Sequence, residues 1–317
     1  KIRLSKKINK KKIIFLLGPT ASGKTDLAIK LSKNFDLEII SVDSVMVYKD
    51  ADIGSAKPSK KALAKYPHFL VNNKTLSEIY SVAEFCKDSY ELIEKIHSRN
   101  NTPLFVGGSM MYFKSLLDGI NEMPARDDIY REMLIQKNAI KPGYLFKLLL
   151  EIDPEYAKKI KPNDERRILR ALEVVNSSGK TMTENLNKSS KNGLKNKYDI
   201  LQIGIYEEDR TILHQRIKER LEVMLDEGLI EEVKSIRESY SLPKNHPIFT
   251  AVNYNQVFDY LENHNNIDKL FNQALFASRQ LAKRQITWIR SWEDLLLFNI
   301  NSDKKIKETI TNFLQMV

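Results

Sequence analysis

One cysteine, Cys86, stands in 317 residues, so no internal disulfide can form and no Cys-rich zinc module can be built, a composition suited to a reducing compartment. Long apolar runs are missing too. None approaches the roughly 18 residues of a membrane helix, and Ile13 to Leu17 is too short for a signal-peptide core. A cytoplasmic protein with no membrane partner is expected. Histidines are few, and His68 and His97 have no partners at ligand spacing, so structural roles are expected for both. No internal repeat and no low-complexity domain interrupts the chain. Acidic residues are outnumbered, 41 against 51 Lys and Arg, and the formal charge of +10 favours a polyanionic partner without proving one. Part of that excess is the run Lys6, Lys7, Lys10, Lys11 and Lys12, a pattern commoner in solvated tails than in nucleic-acid contacts. With 42% hydrophobic residues the chain can bury a sizeable core, in one large or two moderate domains.

What is present is organised around Gly18, Pro19, Thr20, Ala21, Ser22, Gly23, Lys24 and Thr25, which read G-x-x-x-x-G-K-T. The apolar run Ile13 to Leu17 before it is of strand type, and Leu27, Ala28 and Leu31 after it recur at helical spacing. Strand, loop and helix in that order make a P-loop, whose backbone N–H groups and helix N-terminus gather phosphate oxygens while Lys24 adds a full charge. A di- or triphosphate is the ligand expected there. Thr25 is the expected Mg²⁺ ligand, the ion bridging phosphate oxygens.

Further strands are expected at Leu37 to Val42, at an edge from His68 to Val71, at Leu104 to Val106 and at Tyr198 to Ile205. Ligands of parallel α/β sheets sit at the carboxyl ends of strands, so Asp43, just after the second strand, should face the P-loop crevice. It could hold Mg²⁺, act as a general base, or simply cap the next turn. Gly107, Gly108 and Ser109 end the next strand, and Ser109 could cap the following helix or touch a substrate. Ser81 and Glu84 form a capping box for a helix running to about His97.

From Gly119 to about Lys197 strand signals give way to helical ones, at Pro142 to Ile152, Pro154 to Ile160 and Asp164 to Ser177. An inserted helical domain is the simplest reading. Asn163 is the expected N-cap of the last of these, Ile168, Leu172 and Val175 its buried stripe, and Ser178-Gly179 its stop. Arg166, Arg167 and Arg170 lie off the stripe, with Lys158, Lys159 and Lys161 upstream, and would either grip phosphates or form a solvated face. Ser177 to Asn196 reads as a mobile connection. After the strand at Tyr198 to Ile205, Arg216 lies one turn into a long helix, near enough to that strand's end to meet a phosphate or else exposed. Residues 279–290 are expected to be helical, with Arg279, Lys283 and Arg290 bordering a stripe of Ala282, Ile286 and Ile289, and with Trp288 packed in the core.

Across nearly the whole chain the sequence resembles the bacterial-type tRNA dimethylallyltransferases. The strings that carry the resemblance are GPTASGKT at 18–25, SVDS at 41–44, DIGSAKP at 52–58, VGGSMMYF at 106–113, PNDERRILRALEV at 162–174, HQRI at 214–217 and RQLAKRQITWIR at 279–290. The resemblance implies an α/β fold with a P-loop NTPase-like parallel core (1–118 and 198–317, the latter with helical C-terminal parts) and an inserted all-helical tRNA-binding domain (119–197). It implies transfer of a dimethylallyl group from dimethylallyl diphosphate to N6 of adenosine 37, with Mg²⁺ as cofactor and tRNA, through its anticodon stem-loop, as partner. Asp43 becomes the base, Lys24 and Arg216 stabilise the leaving diphosphate, and Ser109 joins the catalytic set. Contacts to tRNA are implied for Asp43, Ser44, Val45, Met46, Ser109, Arg131, Arg166, Arg167, Ile168, Leu169, Arg170, Lys283, Arg284, Gln285 and Arg290. A monomer is expected. Two departures stand out: Ser109 replaces the threonine of most members, and residues 250–256 replace a pattern reading A-[VI]-G-Y-[RK]-[QE], so that a flexible glycine and a cation are absent at Asn253 and Asn255. A P-loop kinase and a non-catalytic RNA-binding protein are the readings from other classes.

Overall fold

The computed structural model describes residues 10–121, 123–187, 192–243, 245–263 and 266–316. Lys6 and Lys7 of the basic run, and residues 188–191 of the expected connection, lie outside that range. The chain divides into two compact units, residues 1–117 with 194–317, and residues 118–193.

The first unit is built on six strands: β1 (Lys12–Leu17), β2 (Leu37–Val42), β3 (His68–Phe69), β4 (Thr102–Gly107), β5 (Asp199–Ile205) and β6 (Leu296–Phe298). They form one parallel sheet in the order β3-β2-β4-β1-β5-β6. Parallel strands covered on both faces read as unbroken apolar runs, and Ile13, Ile14, Phe15, Leu16 and Leu17 are all fully buried. Each such side chain contributes about 1.5–3 kcal/mol by leaving water. Four helices follow the early strands: α1 (Lys24–Ser32), α2 (Lys60–Lys65), α3 (Val82–Ser98) and α4 (Met110–Asp118). The Ser81–Glu84 capping box is formed at the start of α3. Phe113 of α4 meets Phe15 edge to face at 5.1 Å, and Phe15 meets Phe105 likewise at 5.5 Å, which fixes β1, β4 and α4 together. His68 and His97 bond to the backbone carbonyls of Tyr66 and Lys12, the structural roles expected.

The second unit is helical: α5 (Asp128–Ile140), α6 (Tyr144–Ile152), α7 (Pro154–Ala157), α8 (Glu165–Ser178) and α9 (Met182–Asn187). Its core gathers Leu134, Leu145, Leu149, Ile168, Leu169, Leu172 and Met182. Asp164, not Asn163, caps α8: its carboxylate accepts the Arg167 N–H, so the acidic residue one place later takes the cap. Gly179 closes the helix at φ 67°, as expected. Glu173 is fully buried, and both its oxygens take the Arg131 fork at 2.6 and 2.7 Å.

The chain then completes the first unit with α10 (Arg210–Asp226), α11 (Leu229–Ser239), α12 (Tyr254–Asn263), α13 (Ile267–Arg290) and α14 (Asp303–Gln315).

The Arg131–Glu173 pair generates a prediction about stability. Arg131→Ala leaves the buried Glu173 carboxylate with only the Arg170 guanidinium, 3.9 Å away, and should cost up to about 3–5 kcal/mol, whereas Arg131→Met with Glu173→Leu should recover most of the loss. Urea unfolding of both variants measures it. Equal stability of the single variant and the wild type would mean that Arg131 is free to serve a ligand.

Candidate active site

At the carboxyl end of β1 the chain turns through two left-handed residues, Ala21 at φ 60° and Gly23 at φ 81°. For Ala21 that conformation costs roughly 1–2 kcal/mol, the kind of local strain that marks ligand loops. Gly18 is held where a Cβ would sit 2.7 Å from Ser22 Oγ and 3.2 Å from the Ile205 carbonyl, so only glycine fits. The Ser22 hydroxyl is buried without a partner among the described residues. Lys24 folds back to donate to the Pro19 carbonyl at 2.9 Å. Burial pushes the Lys24 ammonium down to about 8, the Arg220 charge adds to the shift, and Asp43 opposes it. The loop therefore sets the N-terminus of α1 beside a destabilised cation, a combination that an anion relieves.

Two neighbouring strand ends face it. Asp43 Oδ1 accepts the N–H groups of Val45 at 2.8 Å and Met46 at 3.1 Å, so the carboxylate does cap its turn. Its other oxygen has no hydrogen-bond partner among the described residues and can accept a proton. Capping and general base are thus compatible, one oxygen to each. Ser44 and Met46 are half-buried and Val45 is buried. Gly107 lies where a Cβ would come 2.1 Å from the Val42 carbonyl, and this contact sets Ser109, whose N–H reaches the same carbonyl at 3.4 Å, beside the Asp43 turn. The Ser109 hydroxyl makes no capping bond to α4, which leaves it available to a ligand.

Gln285, for which the resemblance implies a contact to tRNA, is buried and has an internal task in the structure. On the buried side of α13, its Oε1 accepts the Thr20 N–H at 2.9 Å and its Nε2 donates to the Gly108 carbonyl at 3.0 Å, tying the P-loop to the end of β4. Gly108 must lack a side chain, since a Cβ would meet Nε2 at 2.4 Å. A spacing argument could have found it, because Gln285 adjoins Ala282, Ile286 and Ile289, all buried as expected. Lys283, Arg284 and Arg290 are exposed, and Arg290 donates to the Tyr206 hydroxyl at 2.7 Å. Trp288 is not core: it is 42% exposed, next to Trp292 at 6.3 Å, because it lies about a quarter-turn off the apolar stripe.

Arg216 lines an open cavity of about 440 Å³ with Ala21, Gly23, Ile53, Lys57 and Met224, beside the P-loop. Among the described residues no group of three or more His, Cys, Asp or Glu could hold a metal ion. Mg²⁺ that bridges phosphates keeps several waters and needs few protein ligands, and Thr25, the residue expected to meet it, stands in the first turn of α1. In the second unit Arg166 and Arg167 are exposed, Arg167 pairing with Asp164 at 3.4 Å, and Arg170 donates to the Pro124 carbonyl at 2.8 Å. The side chains of Ile168 and Leu169 belong to the core and Arg131 is held by Glu173, so the exposed cations of that stretch are Arg166 and Arg167.

Fold and site together define a P-loop α/β protein whose Gly18–Thr25 loop lies near a strand-end carboxylate with one free oxygen. The chain belongs to the IPP transferase family, whose model matches residues 46–292. It is similar to a tRNA isopentenylpyrophosphate transferase from Bacillus halodurans, 33% identical over 96% of both chains with a TM-score of 0.68. A tRNA delta(2)-isopentenylpyrophosphate transferase from Staphylococcus epidermidis is 30% identical over 96% of this chain and 99% of that one, TM-score 0.67. A eukaryotic dimethylallyltransferase, solved acting on tRNA, is 28% identical over 95% of this chain and 80% of that one, TM-score 0.78.

The depressed Lys24 generates a prediction about pH. The empty site disfavours the charged form and a bound anion favours it, so diphosphate binding should take up a proton between about pH 8 and the ordinary lysine range near 10.5, and affinity should fall as pH rises through that window. Below pH 8 Lys24 is already charged and adds no uptake. Calorimetry of diphosphate binding at pH 7 and 9, in two buffers of different ionisation heat, measures the uptake against Lys24→Met. No difference between wild type and variant at pH 9 would remove the effect.

Proposed function

We propose that the chain transfers a dimethylallyl group from dimethylallyl diphosphate to N6 of adenosine 37 of tRNA, next to the anticodon, releasing diphosphate. The observation that carries this reading is the pairing of a phosphate cradle with the free oxygen of Asp43 at neighbouring strand ends of one sheet. An exocyclic adenine amine is a weak nucleophile because its lone pair is delocalised into the ring, so leaving-group stabilisation and deprotonation are both needed. The N6 lone pair forms a bond to C1 of the dimethylallyl group, the C1–O bond breaks, and its electron pair leaves with diphosphate. The N6 proton goes to the free Asp43 oxygen. Lys24 and Arg216 take the charge growing on the leaving group, Ser109 orients the amine or the donor through its hydroxyl, and the P-loop amides hold the phosphates. Mg²⁺, when bound at Thr25 and the phosphates, neutralises part of that charge.

The target base must leave its stack to reach a crevice of this kind. Gripping the anticodon stem-loop falls to exposed cations: Arg166 and Arg167 on α8, Lys283, Arg284 and Arg290 on α13. Among the described residues no helix is long and apolar enough to cross a membrane, and we read the protein as a cytoplasmic monomer.

Incubation with labelled dimethylallyl diphosphate and unmodified anticodon stem-loops should give label on RNA, lost when adenosine 37 is replaced; ATP should compete poorly for the donor site. Asp43→Asn should bind donor normally and slow single turnover by roughly 10²–10⁴. A rate within a few-fold of wild type would take Asp43 out of the base role.

The RNA surface has its own test. Each phosphate contact removed lowers the salt slope of binding by about 0.7–0.9, so Arg166→Ala with Arg167→Ala should flatten the slope between about 50 and 200 mM salt while donor affinity stays put. An unchanged slope means a solvated helix face.

A further inference from the structure

Helices α10 and α13 meet along a seam filled by Leu213, Ile217, Ala282 and Ile286, with Tyr206 and Leu275 packed against it. One edge of the seam is cationic. Arg210 and His214 come to it from α10 and Arg279 from α13, and the charges of Arg279 and Arg210 both act on His214. Helical periodicity sets Lys283 and Arg290 on the same edge of α13 as Arg279, and Arg290 carries it on to Tyr206, whose hydroxyl accepts at 2.7 Å.

Arg279 is out of balance there. The residue is half-buried, and its Nε is shielded from water with no acceptor among the described residues. A buried N–H without an acceptor is rare in folded proteins, and a bound ion is one of its few causes. Of the acids before α10, Asp209 caps the helix, accepting the Thr211 N–H at 2.8 Å and hydroxyl at 2.6 Å, and Glu207 accepts the Asn299 amide at 3.4 Å. Three cations therefore share one edge, and no carboxylate among the described residues pairs with any of them. The cost shows at His214: partial burial, then the Arg279 charge, then that of Arg210, hold its imidazole below the ordinary histidine value of 6.5.

An anion on this edge would satisfy all three, and its source follows from the placement. The donor side of α10 is the other one: Arg216, two residues from His214 and so on the opposite side of the helix, lines the cavity that reaches Ala21 and Gly23 of the P-loop. The Arg279 edge instead runs on into Lys283 and Arg290, exposed cations spaced along a helix, which suits successive phosphates of a chain better than one free ion. Resting on the function proposed above, we propose that Arg279, Arg210 and His214 form a site for one phosphodiester of the RNA substrate, with Arg279 as its half-buried anchor. A guanidinium fork matches two phosphate oxygens. The charged groups facing His214 are Arg210 and Arg279, while Lys218, one turn on, pairs with Glu222 at 3.6 Å. A phosphodiester beside the imidazole favours its charged form, so RNA binding should take up a proton and weaken as pH rises from about 6 to 8.

The test uses the full chain and unmodified anticodon stem-loops, with binding followed by fluorescence anisotropy. Arg279→Met keeps the apolar stem and removes the charge, so it should melt no lower than the wild type. Its RNA affinity should fall about tenfold and its salt slope by about 0.7–0.9, while diphosphate binds as before. Stem-loops carrying a neutral methylphosphonate at each linkage in turn locate the contact: at a single linkage the change should weaken the wild type and leave Arg279→Met unaffected. His214→Gln should match the wild type at pH 8 and lack the extra affinity that the wild type gains at pH 6; it also covers the case in which Arg279→Met folds poorly. Wild-type affinity and slope in Arg279→Met, or a loss of diphosphate binding with RNA binding intact, overturns the inference, as does an unchanged pH dependence in His214→Gln. A wild type that binds no stem-loop overturns it too. Transfer of label to RNA with Arg279→Met unaltered in RNA binding sinks the site and leaves the proposed function, whereas an Arg279-dependent RNA complex that transfers nothing sinks the function and leaves the site.

Discussion

The carbonyl of Val42 lies where a side chain on residue 107 would have to be, 2.1 Å from an added Cβ, and the site depends on that contact. Because Gly107 lets β2 and β4 end against each other, the Asp43 turn and the Gly108-Ser109 turn share one rim of the sheet. Gly107 then offers its carbonyl to Gly18 N–H at 3.2 Å, which brings the start of the P-loop to the same rim. Gln285 completes the join from α13. Three strand ends are fused by backbone contacts, and the groups proposed for catalysis inherit their spacing from main chain that cannot shift without a clash.

Such rigidity has an electrostatic consequence. Around the half-buried Lys24, desolvation and the Arg220 charge push its ammonium from the charged form and Asp43 draws it back. A cation held this way is costly, and the left-handed Ala21 adds local backbone strain. On the proposed reading, an anion bound there would relieve both, so that part of its affinity would come from the loop itself. The same field acts on a leaving group more strongly as its charge grows, which is the differential that accelerates a reaction.

Much of this was legible in local pattern. β2 spans Leu37–Val42 as expected and β1 starts one residue before the apolar run, because strands buried on both faces carry their signal within themselves. The P-loop is likewise a contiguous string. What escaped the sequence depends on partners far along the chain. Gln285 looks like one more polar residue in a basic helix until its two bonds, to residues 265 and 177 positions away, are seen. Trp288 projects from the side opposite the cationic edge, which suggests burial, yet its position off the apolar stripe leaves it exposed. β6, three residues long and half-exposed at the sheet edge, has too short a pattern to stand out, and its pairing with β5 is what makes it a strand. Asn163 and Asp164 are both good caps, and only the backbone selects between them.

The 250–256 departure shows how a pattern can mislead even when correctly read. A glycine replaced by asparagine looks like lost flexibility, yet what this position requires is φ 74°, and asparagine is among the few side chains that adopt it at small cost. The requirement is therefore conformational and is still met. What changes is chemistry: glycine has no side chain, whereas Asn253 has an amide that reaches Gly54, Met224 and Ser278 at once. At Asn255 the amide donates to the Phe249 carbonyl at 2.7 Å, a local turn bond that a cation reaching for RNA would not make. Asn253 thus turns inward, whereas Asn255 stays exposed and bonds its own turn. A residue type that satisfies a backbone constraint and adds bonding capacity can therefore replace glycine here and tie the turn to its neighbours.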